Sequence, residues 1–155
     1  MLLQKGHWLG RGSVLVEGQS LGQTAECDVR IEQDTGGFTL HAELSVQDAE
    51  RRDLVIRIAG NEVGTYTLRV QSGAEVLNGT AKLDSPPNLG LLWNEVENVY
   101  ATFALFAISN GCGCRGFIRD GLTTFTWEIA FALQQEVVKG DNVISLNRRV
   151  RGRRR

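Results

Sequence analysis

From Phe38 to Val46 the chain alternates without a break. Phe38, Leu40, Ala42, Leu44 and Val46 are apolar, and Thr39, His41, Glu43 and Ser45 between them are polar. Strand side chains point to opposite faces at every second residue, whereas a helical face repeats every 3.6 residues, so this run reads as a half-buried strand. Shorter copies of the pattern lie on either side, in Cys27, Val29 and Ile31, in Leu54, Ile56 and Ile58, in Tyr66, Leu68 and Val70, and in Leu77, Ala81 and Leu83. Turn signals separate them: Gly18, Gly36-Gly37, Gly60-Asn61, Ser72-Gly73, Asn110-Gly111 and Asp120-Gly121. Links this short join antiparallel neighbours.

The expected fold is therefore all-β, an antiparallel up-and-down barrel of about nine or ten strands with little helix, because closure removes the exposed edges of an open sheet. A β-sandwich is the runner-up. A jelly roll with a metal centre is disfavoured, since His7 and His41 are the only 2 histidines and stand far apart. Helix is expected, if anywhere, over residues 47–52 and 86–94. Two segments stand out. Residues 99–108, VYATFALFAI, are apolar on both faces, which predicts cover on the outer side by a short helix or a subunit partner. Residues 124–133 place Phe125, Trp127, Ile129, Phe131 and Leu133 on one face, the most aromatic in the chain.

At 155 residues and 42% apolar content the chain is the size of one domain with a real core. We place that domain at 1–147 and a basic tail at 148–155, where RRVRGRRR gathers arginines while the rest of the chain is acidic. Such a tail can hold phosphates electrostatically, but no aromatic residue is interleaved with it to stack on bases, so nucleic-acid binding is the weaker reading. No apolar run reaches the roughly 18 residues of a membrane span, and no signal-peptide pattern opens the chain, which gives a cytoplasmic expectation. Asn78-Gly79-Thr80 has the form of a glycosylation acceptor and reads better as a strand end.

The N-terminal stretch GHWLGRG carries a resemblance. Gly6, Trp8, Gly10 and Gly12, standing at the start of a first strand with meandering strands behind them, resemble the Gly-x-Trp opening of the calycin superfamily of lipocalins, fatty-acid-binding proteins and nitrobindin-like barrels. The resemblance implies a barrel whose closed end is plugged by Trp8 beside Gly6, with an arginine of the final strand packed across it. Arg148 or Arg149 would fill that role, after an apolar run at 143–146 returning beside the first strand. It also implies a ligand chamber in the barrel. In the nitrobindin-type branch haem is held by a late histidine. No histidine follows His41 here, so haem is not supported and the cofactor stays unknown.

On the alternation, the chamber would draw on Phe38, Leu40, Tyr66, Leu68 and Phe103, with Phe125, Trp127 and Phe131 from the aromatic face. Arg57 and Arg69 are out of phase with their apolar neighbours, so Arg119 is the candidate partner for a polar ligand head. The expected function is binding of a small hydrophobic or amphipathic molecule. Alternatives are a haem- or tetrapyrrole-binding barrel and an interaction module, a homodimer among them, using residues 99–108 or the tail. Cys112 and Cys114 share a strand face, yet two thiolates are too few for a closed zinc site, and they read as small packing residues. With no serine elbow, phosphate loop or late histidine base, no catalytic constellation emerges.

Overall fold

The computed structural model describes residues 1–135. Among them there is no helix; the chain runs through ten strands. In order these are β1 (Gly6–Val16), β2 (Gln23–Asp34), β3 (Gly37–Val46), β4 (Arg52–Gly60) and β5 (Tyr66–Ser72). They continue as β6 (Glu75–Lys82), β7 (Asn88–Asn94), β8 (Val99–Ile108), β9 (Gly111–Asp120) and β10 (Thr123–Leu133). Each strand pairs antiparallel with its neighbours in sequence, and β10 returns to β1, giving a closed up-and-down barrel.

Three expectations need correction. Residues 47–51 form the β3–β4 turn and carry no helix. Residues 88–94 are strand β7, with an inverted pattern: Leu89, Leu91 and Trp93 point outward, while Asn88, Gly90 and Leu92 point inward. The place beside β1 assigned to residues 143–146 is taken, since Trp8 through Val16 pair with Leu133 through Phe125 of β10. Residues 143–146, Arg148, Arg149 and the proposed boundary at 147 lie outside the described residues.

Glycines close the seam. At Gly12 a side chain would drive into the Glu128 carbonyl, so the two backbones meet there only because that position has no Cβ. At Gly10 a Cβ would fall 2.5 Å from the Phe131 ring, which occupies the space instead. The glycines of GHWLGRG thus let β10 approach β1 and let an aromatic ring of β10 cover it.

The outside of the barrel is divided. Across β2 to β6 the outward positions are mostly charged or polar, among them Glu26, Arg30, His41, Glu43, Arg57, Arg69 and Lys82. Across β7 and β8 they are largely apolar, and across β9, β10 and β1 apolar positions alternate with polar ones such as Ser13, Thr126, Arg11 and Arg115. Leu91, Tyr100 and Phe117 stay 53%, 47% and 46% exposed. The outer side of residues 99–108 is therefore uncovered by any described residue of this chain.

Candidate functional site

The barrel interior is the natural place for a ligand, and its two ends differ. At the end where β1 begins, Trp8, Ile31, Phe38, Ile58, Leu68 and Leu83 are buried in one cluster, with Leu2 and Leu3 packed against it. The Trp8 indole Nε1 donates to the Gln4 carbonyl at 2.9 Å, which ties the N-terminal segment over that end. Asn88, 4% exposed, secures the β6–β7 connection there: with its amide nitrogen turned toward them it donates to the carbonyls of Leu83 at 3.2 Å and Ser85 at 3.0 Å.

Toward the other end the inward side chains keep contact with solvent. Val14, Leu44, Leu54, Val70, Leu77, Leu92, Phe125 and Trp127 all face in, and all are only half-buried. A solidly packed interior would bury them. The inward residues are therefore buried toward one end of the barrel and partly exposed toward the other.

The aromatic rings line the wall. Phe131 lies over Gly10, Phe103 over Gly90 and Trp127 over Gly116, each filling the space that a Cβ on the neighbouring strand would occupy. Phe103 and Phe131 also pack against the buried cluster, so these rings join the wall to the core.

Of the residues expected in the chamber, Phe38, Leu40, Leu68 and Tyr66 belong to the closed end or its border, and Phe103, Phe125, Trp127 and Phe131 line the wall on the β8 and β10 side. The Tyr66 hydroxyl is turned away from the interior and donates to Asp84 Oδ1 at 2.6 Å, a bond that raises the phenol pKa. Arg119 does not join the set: it is exposed, its cross-strand partner Thr124 accepts a hydrogen bond from Nη1 at 3.1 Å, and the inward position beside it belongs to Ile118.

Sequence reasoning left Leu54, Ile56, Leu77 and Leu92 out of the inward set. The alternation of Leu54, Ile56 and Leu77 was legible, but the set was drawn mainly from aromatic residues, and Leu92 was hidden because Gly90 interrupts the inward row of β7. The cysteines also turn inward. Cys27, Cys112 and Cys114 are free thiols. Burial, helped by the Asp28 carboxylate and Cys114, pushes Cys27 up to about 11. Burial likewise raises Cys112 and Cys114, the latter opposed by the Trp127 Nε1 donor 3.4 Å from its sulfur. Raised thiols stay protonated near neutral pH, so these line the chamber as weakly polar packing groups.

Between the strand ends, the inward face carries no Lys, Arg, Asp or Glu among the described residues. Charge enters at the rim of the end opposite Trp8, where Arg52 Nη1 meets Glu75 Oε2 at 3.4 Å and where Asp120 closes β9 in the inward row opposite Val99. Among the described residues, no helix is long and apolar enough to cross a membrane. No protein-family model matches this chain, and neither a curated protein nor a solved structure does.

Proposed function

We propose that the barrel is a binding protein of calycin type that holds a small apolar molecule in its lumen, with any polar head left at the open rim. The observation that carries this reading is the half-burial of inward side chains toward the end opposite Trp8, beside aromatic rings packed on glycines of neighbouring strands. The lining sets the ligand class. A charge taken into a chamber with no opposite charge would be too expensive, so the body of the ligand is uncharged. Apolar burial of about 25 cal/mol per Å² drives entry, and a charged head would sit beside Arg52 and Glu75.

The test uses Nile red, a neutral dye that brightens in apolar surroundings, with dodecanol as competitor, on the wild type and on Val70→Trp. Val70 faces inward and is half-buried. With a free lumen, the added indole is accommodated with little loss of stability, and dye binding that dodecanol displaces in the wild type disappears in the variant. A filled interior gives the opposite pair of results, no dye uptake by the wild type and a loss of about 1–3 kcal/mol from overpacking in the variant. That pair would overturn the proposal.

A further inference from the structure

The outward face of β7, β8, β9, β10 and β1 has no role in a lumen site, yet it is built unlike the rest of the surface. The inversion of β7 is its plainest sign: Leu89, Leu91 and Trp93 point to solvent at 47%, 53% and 36% exposure, while Asn88 is turned inward. Beside them Tyr100 and Phe117 are 47% and 46% exposed, and Leu15 on β1 is 39% exposed. A groove of about 530 Å³ runs between these larger residues, with Ser13, Thr102, Ala104 and Thr126 contributing small side chains to its lining.

We infer that this face binds a second copy of the chain, forming a two-fold dimer. Size is the first argument. Five strands about 4.8 Å apart and roughly 30 Å long present a face on the order of 700 Å², near the roughly 800 Å² each partner gives to a standard interface. Shape is the second. A two-fold axis brings the same patch to itself, so the exposed Leu91 and Trp93 of one copy can pack along the groove of the other. Leu15, Leu89 and Phe117 line that groove together with the small residues and the Arg115–Glu128 pair. Charge is the third. The ionised groups at the centre of the face, Arg115 and Glu128, are already paired at 2.8 Å, and the Arg115 guanidinium sits 4.8 Å from the Phe106 ring centroid. Their mutual pairing limits what burial costs, since neither charge is left uncompensated. Arg11 on the border strand β1 and Arg119 at the end of β9 stand toward the periphery, where they can stay in water.

The experiment is sedimentation velocity on the full chain from micromolar to submillimolar concentration. It is run on the wild type, on Leu91→Glu on β7, on Ala104→Arg in the groove, and on Thr67→Glu on the charged side of the barrel as a control. The expected result is a wild-type dimer retained by Thr67→Glu, with association weakened at least about tenfold in both face variants, at unchanged circular dichroism. Two separate sites on one face are probed, so a folding failure of one variant leaves the other to decide. A monomeric wild type overturns the inference, and so does a dimer that survives the folded face variants. Flotation of a monomeric wild type with phosphatidylcholine vesicles would overturn it in favour of a lipid surface.

Discussion

Gly10 and Gly12 act through what they leave out. A methyl at Gly12 has the Glu128 carbonyl in its way, and backbone cannot swing aside as a side chain can. Gly12→Ala is therefore expected to cost about 3 kcal/mol or more, read as a lower denaturant midpoint. Gly36→Ala, where a Cβ meets nothing within 4 Å, should leave that midpoint almost unchanged. Trp8 at 6% exposure fills the closed end, and Trp8→Ala should cost about 3–5 kcal/mol as a cavity opens among Val29, Phe38 and Leu68. Cys27 adds a pH signature. Its thiol is raised from an ordinary value of 9.0 to about 11, so the folded state holds the proton more tightly than the unfolded one. The stability this gives is fully present below pH 9 and is lost as pH rises toward about 11. Denaturation followed across that window should show a decline of up to about 2 kcal/mol that Cys27→Ala largely removes. An equal decline in the variant would assign the effect to other groups.

Among the elements, legibility followed the solvent. β3 was readable because its outer face meets water: Thr39, His41, Glu43 and Ser45 mark the period against Phe38, Leu40, Ala42 and Leu44. β8 and β7 lack that marker, since Tyr100, Phe106 and Ile108 or Leu89, Leu91 and Trp93 face outward. In β8 both faces are apolar and only the strand could be read; in β7 the pattern is reversed, and helix was the wrong expectation. The closing partner of β1 was misplaced for another reason. Any apolar run late in the chain fits beside a first strand, and only register decides, which here rests on the close approach of Gly12 to Glu128. The inward row was legible in its phase, because inward residues follow from alternation, but not in how it packs. Nothing in the spacing of Phe103, Trp127 and Phe131 says that their rings lie over glycines of neighbouring strands.

For the molecule as a whole, the lumen and the apolar outer half share one wall, so the two proposed surfaces are independent only if the wall transmits little. The side chains argue for independence. Alternate residues of a strand serve opposite faces: Leu92 and Phe103 look inward, while Leu91 and Thr102 beside them look outward. A ligand in the lumen and a second copy therefore meet different side chains except at Phe103 and Trp127, which border the outer groove as well. Little differential contact is left to shift association. Occupancy at about a hundred times Kd stabilises the folded state by about 2.7 kcal/mol whatever the outer face is doing. Leu91→Glu should accordingly show the same upward shift in melting temperature on adding dodecanol as the wild type, measured at matched protein concentration, although its baseline melting temperature is lower by whatever dimerisation supplies. Val70→Trp should show the reverse, self-association intact and the ligand shift gone. If Leu91→Glu lost the ligand shift as well, the wall would be coupling the surfaces. The strand pair to examine would then be β7 and β8, where Phe103 lies over Gly90 on the inside and Leu89 faces out beside it.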